Sequence, residues 1–389
     1  MYTFRKNKGK ATGWKGNKKK PSSTLAIDKL IYVPNQAENK LEESTSLSFK
    51  DLGLGSKVIE RLAEIGYAYP REIQEKAIPE VLKGENIMGI ARTGTGKTAA
   101  FLIPVINILL SNPTENHTLI IVPTRELALQ IHQEFKNLTR GMELFASVLI
   151  GGSNIGINIK DLRRKNHLII GTPGRLIDLK KRNLLPLHSF TTLVLDEFDR
   201  MLDMGFKQDI KIMHKAMTSL KQYLLFSATI DDSQQGIINE LVSHYKLIQS
   251  TDKIKASENI SQDIIKVATH QNKFDILLSL LPNEEKVILF SETKRKVTKL
   301  VKNLTKAGVR SGEIHGDISQ RKRESALRSF KAGNTKVLVA TDVLARGIDI
   351  TDVSLVINYE IPVNYEDYIH RIGRTGRSGK MGKALTFIN

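Results

Sequence analysis

Cysteine is absent from the 389 residues, and long apolar runs are also missing. Without a thiol the chain can form no disulfide scaffold, no thiolate metal site and no cysteine nucleophile. The longest mostly apolar run, from Ala99 to Leu110, is interrupted by Pro104 and Asn107, whereas a membrane-spanning helix needs about 20 apolar residues. No apolar segment follows the basic N-terminus, so it does not resemble a secretory signal. We therefore expect a soluble, cytoplasmic protein that makes no membrane contact.

Acidic residues are too few to balance the basic ones. The chain has 59 Lys and Arg against 41 Asp and Glu, which gives a formal net charge of +18. This surplus favours a polyanionic partner, because Lys and Arg that neutralise phosphates release the counterions bound there. Hydrophobic residues still make up 40% of the chain, which is enough to build ordinary globular cores.

The first 47 residues differ in composition from the rest of the chain. They contain ten Lys or Arg and four Asp or Glu, and their first twenty residues show no apolar periodicity. This composition predicts a disordered basic tail over residues 1–47. Tyr2, Phe4 and Trp14 lie among the lysines, an arrangement that suits stacking on single-stranded nucleic acid. A merely solubilising tail fits the composition equally well.

From Phe49 onward, short β-branched apolar runs alternate with longer amphipathic stretches. This alternation predicts parallel sheets covered by helices on both faces. It lapses into polar residues near residues 250–260 and then restarts, so we predict two α/β domains, at 48–249 and 261–389, joined by a linker at 250–260. The predicted strands are Asn86–Ile90, Leu119–Val122, Leu168–Ile170, Leu193–Leu195, Leu224–Phe226, Asp263–Ala268, Val287–Phe290, Val337–Ala340 and Leu355–Asn358. The predicted helices include Arg125–Leu138, Gln235–Tyr245, Lys294–Ala307 and Ser319–Lys331.

A glycine-rich segment links the first predicted strand to a helix. Gly94 and Gly96 allow backbone N–H groups to close around phosphate oxygens, and the helix N-terminus adds positive potential. Lys97 can reach the β- and γ-phosphates, and the Thr98 hydroxyl can bind Mg²⁺. The alternative is a glycine-rich turn without a ligand. The predicted nucleotide site comprises Arg92, Thr93, Gly94, Thr95, Gly96, Lys97 and Thr98.

Acidic residues follow the predicted strand Leu193–Leu195. Asp196, Glu197 and Asp199 come directly after it, at the end of a parallel strand where nucleotides bind. Asp196 can hold Mg²⁺, and Glu197 can orient or deprotonate the attacking water. An acidic cap on a helix is the alternative explanation for this cluster.

With these two segments the chain resembles the DEAD-box ATP-dependent RNA helicases, and the similarity continues through both predicted domains. The resemblance implies two tandem RecA-like domains that bind ATP and Mg²⁺. It also implies that Gln74 contacts the adenine, that Phe49 stacks on the base and that Asp349 contacts the ribose. By the same resemblance, Arg374 and Arg377 supply positive charge to the γ-phosphate.

Further motifs of this resemblance concern RNA and the coupling of the two domains. The implied coupling residues are Asp199, Ser227, Thr229 and His370. The implied RNA-backbone residues are Pro123, Thr124, Arg125, Gly151, Gly152, Thr172, Pro173, Gly174, Arg175, Thr293, Arg323 and Thr341.

Two positions depart from the family pattern. Arg71 stands where the family has threonine, which affects one local hydrogen bond. Phe198 stands where the family has alanine in its namesake motif. We expect the phenyl ring to alter packing against Ser227–Thr229, while the three neighbouring carboxylates keep metal binding and water activation in place.

The sequence therefore favours an RNA-stimulated ATPase that unwinds short RNA duplexes or remodels RNA–protein complexes as a monomer, in a setting such as ribosome assembly or RNA decay. Two other classes stay open. One is an ATP-gated RNA clamp in which Phe198 has uncoupled hydrolysis. The other is a DNA helicase or translocase built on the same paired domains.

Overall fold

The computed structural model describes residues 31–32, 47–91, 95–114, 117–230, 232–250, 259–268, 272–342, 350, 353–363, 365–376 and 381–388. Within them the strands form two separate sheets, and every strand pair in both sheets is parallel. The predicted pair of parallel-sheet α/β domains is confirmed. Five predicted site residues lie outside the described residues, together with all of the tail except residues 31–32 and 47: Arg92, Thr93, Gly94, Asp349 and Arg377.

The first sheet has the strand order β3-β4-β2-β5-β6-β1-β7. Its strands are β1 (Ile87–Ile90), β2 (Thr118–Ile121), β3 (Ala146–Leu149), β4 (Leu168–Gly171), β5 (Thr192–Leu195), β6 (Gln222–Ser227) and β7 (Lys246–Gln249). The helices of this domain are α1 (Ser56–Glu64), α2 (Glu72–Leu82), α3 (Lys97–Ser111), α4 (Arg125–Leu138), α5 (Ile155–Leu162), α6 (Pro173–Lys181), α7 (Phe198–Asp203), α8 (Lys207–Ala216) and α9 (Asp232–Leu241). Two 3₁₀ turns complete it, at Phe49–Leu52 and Leu187–Ser189.

The second sheet has the strand order β10-β11-β9-β12-β13-β8. Its strands are β8 (Ile260–Lys266), β9 (Val287–Phe290), β10 (Ser311–Ile314), β11 (Val337–Ala340), β12 (Leu355–Asn358) and β13 (Gly382–Ile388). The helices around it are α10 (Lys273–Leu280), α11 (Lys294–Lys306), α12 (Gln320–Lys331) and α13 (Tyr365–Ile372).

Each sheet is buried on both faces, and its central strands are apolar at most positions. Strands β2, β5, β9, β11 and β12 are buried throughout. Alternate residues of one strand enter two different cores. In β5, Val194 packs into one core of the first domain, while Leu193 and Leu195 pack into the other. The same division separates the two cores of the second domain.

The parallel arrangement brings the polar motifs of each domain to one edge of its sheet, where the strands end. Several helices that follow these strands start with a hydroxyl cap. The Thr124 hydroxyl accepts a hydrogen bond from the Leu127 amide, and the Thr293 hydroxyl accepts one from the Lys296 amide. These caps fix the direction in which the chain leaves each strand.

Several features differ from the sequence-based expectation. Strand β8 covers Ile260–Lys266 rather than Asp263–Ala268, and strands β3, β7 and β10 were not predicted. Helix α9 ends at Leu241 rather than at Tyr245, since the Asn86 side chain binds the His244 carbonyl and the chain turns into β7. In addition, Tyr32 forms an isolated antiparallel bridge with Gln262 of β8, through two backbone hydrogen bonds of 2.9 and 2.7 Å.

No helix in the described part of the chain combines the length and apolarity needed to cross a bilayer.

Candidate active site

Lys97 is the first residue of α3 and is almost fully buried. Gly96 precedes it with φ +91°, a left-handed conformation that glycine adopts without strain. Among the residues that the structure describes, the Lys97 ammonium group has no hydrogen-bond partner, although only 7% of the residue is exposed. A buried cation is costly unless a group of opposite charge reaches it. Asp196 is close enough to interact with this charge, and the unused N–H donors of Lys97 suit a further anion.

Asp196 lies at the carboxyl end of β5 and is 3% exposed. Burial raises its pKa to about 7, while the nearby charge of Lys97 acts in the opposite direction. The Glu197 amide donates a hydrogen bond of 3.0 Å to the Asp196 Oδ1 atom. The carboxyl group is thus held in place in an environment that favours binding of a cation.

Glu197 has a strained backbone. It and Asn183 are the only non-glycine residues with positive φ in the described chain, and Glu197 lies at φ +53°, ψ +49°. Such a conformation costs about 1–3 kcal/mol and is concentrated at functional sites. Arg200 binds the Glu197 carboxylate at 3.2 Å, with both side chains largely buried. The sequence analysis missed Arg200, which follows Glu197 by three residues and so lies on the same side of the helix start.

Asp199 connects this site to the end of β6. Its Oδ2 atom accepts hydrogen bonds from the Ala228 and Thr229 amides, at 3.2 and 3.3 Å, and one from the Thr229 hydroxyl at 3.4 Å. The Ser227 hydroxyl accepts from the Asp199 amide at 3.4 Å. Three of the four predicted coupling residues are therefore in direct contact.

Phe198 lies in the chain between Glu197 and Asp199. Its side chain is fully buried in the first-domain core that also contains Met88, Leu195 and Met201. Asp199, the next residue, keeps its hydrogen bonds to Ala228 and Thr229. The expected change in packing of the ring against Ser227–Thr229 stays a prediction.

Gln74 lies in the first turn of α2 and is buried against Gly96, the residue before α3. Its Oε1 atom accepts from the Arg71 amide at 3.0 Å, and its Nε2 atom donates to the Gly96 carbonyl at 3.1 Å. A side-chain amide has a second N–H and a second lone pair, so these contacts leave it able to bind an adenine edge. The same residue therefore connects the start of α2 to Gly96, the residue before Lys97.

Phe49 offers little surface for stacking on a base. It is 4% exposed, and its ring packs at a tilt against Tyr67, with the centroids 6.1 Å apart. The exposed aromatic ring in this region belongs to Tyr69, which is 62% exposed and immediately precedes Pro70. The sequence analysis did not include Tyr67 or Tyr69 in the site, although both stand within the motif that contains Gln74.

Arg125 lies across Gly151 and Gly152. A Cβ atom added to Gly152 would overlap the Arg125 guanidinium group, and Gly152 has φ +78°. Burial lowers the pKa of Arg125, and the charge of Arg323 lowers it further. The two glycines thus make room for an arginine rather than presenting only their own amides to phosphate.

Arg175 is bound within the first domain. Its guanidinium group donates to the Ser153 carbonyl at 2.9 Å and to the Asn158 side chain. It follows Thr172, Pro173 and the exposed Gly174 at the start of α6. These contacts hold the loop after Gly152 in place, so Arg175 positions the loop; Ser153 and Asn158 were absent from the predicted site.

Arg323 of the second domain contacts the first domain. It forms a 2.6 Å ion pair with Glu126 of α4, in which the side chains are only 8% and 5% exposed. A second nitrogen of Arg323 donates to the His315 carbonyl at 3.3 Å. Thr341, which follows β11, has a hydroxyl without a hydrogen-bond partner among the described residues.

The last motif of the second domain begins in α13. Arg374 is 3% exposed, and its Nε atom donates to the His370 carbonyl at 3.3 Å. Arg371 makes two hydrogen bonds to the Asp342 carboxylate, at 2.6 and 2.9 Å. Arg371 thus joins α13 to the end of β11, a structural role that the sequence analysis did not assign.

Comparison with known protein families identifies both domains. Residues 71–237 match the family model described as DEAD/DEAH box helicase, and residues 272–379 match the model described as Helicase conserved C-terminal domain. A curated relative, the DEAD-box ATP-dependent RNA helicase CshA of Geobacillus kaustophilus, is 41% identical over 343 residues, which cover 88% of this chain and 73% of the relative. The chain belongs to the DEAD-box helicase family.

Other members of the family are longer than this chain. The Streptococcus pneumoniae protein of the same name is 42% identical over 344 residues, which cover 88% of this chain but 66% of the relative. The chain therefore spans slightly less than two thirds of that relative's length.

Solved structures of the family match both domains together, which confirms the RecA-like pair. Saccharomyces cerevisiae Dbp5 bound to RNA and ADP BeF3 gives a TM-score of 0.78 at 32% identity, covering 88% of this chain and 89% of that chain. Mss116p bound to ssRNA and AMP-PNP gives a TM-score of 0.81 at 31% identity, and the match covers 92% of this chain and 77% of that chain. A DEAD box protein of Methanococcus jannaschii gives a lower TM-score of 0.51 at 39% identity, and the match covers 88% of this chain and 93% of that chain.

Proposed function

We propose that this protein is an ATP-dependent RNA helicase that binds single-stranded RNA across its two domains and unwinds short duplexes or remodels RNA–protein complexes. The observation that carries the proposal is the buried Lys97 ammonium, which has no hydrogen-bond partner among the described residues, near the Asp196 carboxyl whose pKa burial raises to about 7. Such an arrangement is costly in the absence of a ligand, and Mg²⁺-ATP supplies a charge of the right sign to each group.

The donor set fits a magnesium ion that arrives with the nucleotide. In the described part of the chain, no three His, Asp or Glu side chains converge as a metal site. Mg²⁺ in nucleotide enzymes is held by one or two protein oxygens together with substrate phosphates, and Asp196 and Thr98 provide such oxygens. The bound ion would neutralise charge on the phosphates, while Glu197, fixed by Arg200, orients the attacking water.

RNA is proposed to bind where arginines from both domains gather around Glu126. Arg125 and Arg323 lie close enough for the charge of one to lower the pKa of the other. Guanidinium groups that exceed the available carboxylates suit a phosphate backbone, which carries no sequence information by itself. Thr293 and Thr341 follow neighbouring strands at the same edge of the second sheet, within reach of the same strand of RNA.

Hydrolysis is proposed to depend on closure of the two domains. The Glu126–Arg323 ion pair joins the domains, and Arg374 and Arg377 would bring positive charge to the γ-phosphate. Asp199, hydrogen-bonded to Thr229, would transmit the state of the nucleotide to the end of β6. RNA and ATP then bind synergistically, since both bind the closed state more tightly.

We place the protein in the cytoplasm, where RNA and ATP are both available, and propose that it acts there as a monomer. Ribosome-assembly and RNA-decay complexes are the RNA–protein substrates that we propose to test first.

Steady-state ATP hydrolysis tests the proposal. Wild-type protein is assayed without nucleic acid, with single-stranded RNA and with single-stranded DNA, beside Glu197→Gln. We expect strong stimulation by RNA alone and its loss in the variant. Intact ATP binding with negligible turnover on RNA would indicate an ATP-gated clamp, whereas equal stimulation by DNA would indicate a DNA translocase.

A further inference from the structure

Helix α11 has a stripe of positive charge on the side opposite its buried face. Its apolar side packs into the core of the second domain through Val297, Leu300 and Leu304. Four exposed cations, spaced four, three and four residues apart, follow the other side of the helix. This α11 stripe consists of Arg295, Lys299, Lys302 and Lys306.

The charges of the α11 stripe are not compensated by acids. Within the described residues, no carboxylate lies at ion-pair distance from any of the four, and α11 itself contains no Asp or Glu. The neighbouring cations differ in this respect: Lys294 pairs with Asp317, and Lys296 pairs with Glu292. The four cations of the α11 stripe therefore differ from their neighbours in that no ion pair compensates their charge.

In several other surface helices of this protein, the cations form ion pairs with nearby acidic residues of the same helix. Lys76 pairs with Glu72 in α2, and Arg182 pairs with Asp178 at the end of α6. Like charges three or four residues apart destabilise a helix, and Arg295 also lies near the positive end of the α11 dipole. Because this repulsion works against helix stability, it points to an anionic ligand that neutralises the charges.

The α11 stripe starts beside the proposed RNA site. Thr293 caps α11 at the edge of the sheet where β9 ends, and the helix runs back from there along the sheet. With a rise of about 1.5 Å per residue, the stripe extends about 16 Å from this edge, and its cations are about 4.5–6 Å apart along the axis. These intervals are comparable with the separation of successive phosphates in a nucleic-acid strand.

The chemistry of the stripe fits RNA better than a protein partner. The positions between and beside its cations are polar, namely Thr298, Asn303 and Thr305. Protein interfaces contain an apolar or aromatic centre, and this face offers none among its exposed described residues. Phosphate binding needs only cations and accessible donors.

We propose that the α11 stripe binds the phosphate backbone of RNA that extends beyond the segment held between the two domains. The proposal rests on the proposed function, because it takes RNA to be the ligand of the adjacent site. The stripe adds affinity and salt dependence without reading sequence. It favours RNA with a single-stranded flank over RNA that only fills the interdomain site.

The test compares two RNAs in the presence of AMP-PNP, by fluorescence anisotropy over a range of salt concentrations. One RNA is the shortest that fully stimulates ATP hydrolysis, and the other is the same RNA extended by uridines at its 5′ or 3′ end. Thermal unfolding checks that each variant is folded. The stripe variant combines Arg295→Gln, Lys299→Gln, Lys302→Gln and Lys306→Gln. The matched control removes four exposed cations of the first domain, through Lys57→Gln, Lys136→Gln, Arg140→Gln and Lys221→Gln.

We expect the wild type and the control to bind the extended RNA more tightly than the short one, and the stripe variant to lose this gain. The slope of log affinity against log salt for the extended RNA should fall by about 2–3 in the stripe variant, at about 0.7 for each phosphate contact with a single strand. An unchanged gain and slope in the stripe variant would overturn the proposal. So would tight wild-type binding of poly-L-glutamate that the stripe variant loses, since the face would then be assigned to an acidic protein.

The two proposals fail in different ways. If the wild type did not bind the short RNA with AMP-PNP, the proposed function would be contradicted. The difference between wild type and stripe variant on uridine oligomers alone would still decide whether α11 binds RNA.

Discussion

At the scale of single residues, the site is defined by buried ionisable groups that opposite charge only partly compensates. Lys97 and Asp196 are both nearly inaccessible, and the charge of Lys97 only partly offsets the effect of burial on the Asp196 pKa. Glu197 adds a left-handed backbone conformation next to them. On the proposed function, binding of Mg²⁺-ATP would relieve these costs.

The raised pKa of Asp196 predicts pH-dependent nucleotide binding. Below pH 7 the nucleotide-free carboxyl group is mostly protonated, and binding of Mg²⁺ requires the carboxylate. We expect the affinity for Mg²⁺-ATP to weaken by up to about tenfold per pH unit below 7 and to level off above it. Isothermal titration at several pH values measures this dependence.

Asp196→Asn is the control for the titration of ATP itself, which both proteins experience equally. The same pH profile in the wild type and this variant would contradict the prediction. Without nucleotide the sign is opposite for stability: the folded state holds a proton that the unfolded state, with a pKa near 3.8, has released. Stability should therefore fall as the pH rises towards 7.

Phe198 predicts an effect on stability rather than on catalysis. Phe198→Ala removes a fully buried ring from the first-domain core and should lower the free energy of unfolding by about 3–5 kcal/mol. RNA-saturated turnover at a temperature where the variant is folded should stay close to that of the wild type, because Asp199 binds Ala228 and Thr229 independently of the ring.

Chemical denaturation and steady-state hydrolysis are measured on the same preparations, with Phe198→Leu as the milder substitution. A large change in turnover without loss of stability would show that the ring takes part in coupling.

At the scale of elements, loops and helix starts determine what the motifs do. The pattern of apolar runs predicted the central strands well, because strands buried on both faces are continuously apolar. It did not identify the edge strands β3, β7 and β10, whose residues are half-exposed and partly polar. Nor could it show that the loop of Gly151 and Gly152 receives the side chain of Arg125, since that contact joins residues far apart in the chain.

Gly152→Ala tests the role of this loop. The new methyl group would displace the Arg125 guanidinium, so we expect at least a tenfold loss of RNA affinity with little change in the affinity for Mg²⁺-ATP. Fluorescence anisotropy with labelled RNA and AMP-PNP gives the first quantity, and nucleotide titration gives the second.

Gly141→Ala is a matched control, because Gly141 has φ +82° and open space around it. Both substitutions introduce backbone strain of about 1–2 kcal/mol, but only the first displaces an arginine. Equal RNA affinity for the two variants would mean that the position of Arg125 is unimportant.

At the scale of the whole molecule, the two domains meet through a buried ion pair. Glu126 follows the RNA-motif arginine of α4, and Arg323 reaches it from the start of α12. The pair explains why a residue that the sequence analysis assigned only to RNA also joins the domains.

The pair predicts that Arg323→Gln and Glu126→Gln each reduce the synergy between RNA and ATP analogue. Removing one partner of a buried pair leaves an uncompensated charge, which typically costs about 3–5 kcal/mol in the closed arrangement. We expect RNA affinity with AMP-PNP to fall at least tenfold, while the affinity for Mg²⁺-ATP without RNA is unchanged.

A double-mutant cycle separates this coupling from direct RNA contact. If the double variant is no worse than either single variant, the two residues act as a pair. Additive losses would instead assign each residue a separate contact with RNA. Arg182→Gln, which removes an exposed pair with Asp178, should have no effect on the synergy.

The sequence by itself determined the two α/β domains, the glycine-rich segment that leads into Lys97 and Thr98, and the carboxylates after β5. These features are local: apolar periodicity, glycine spacing and residues that follow one strand. Only the tertiary structure decided that Arg175 and Arg323 bind protein groups, that Phe49 is covered by Tyr67, and that Phe198 lies in the core. Each of those outcomes depends on which distant residue packs against a side chain, and this is fixed by how the sheets and helices assemble rather than by neighbours in the chain.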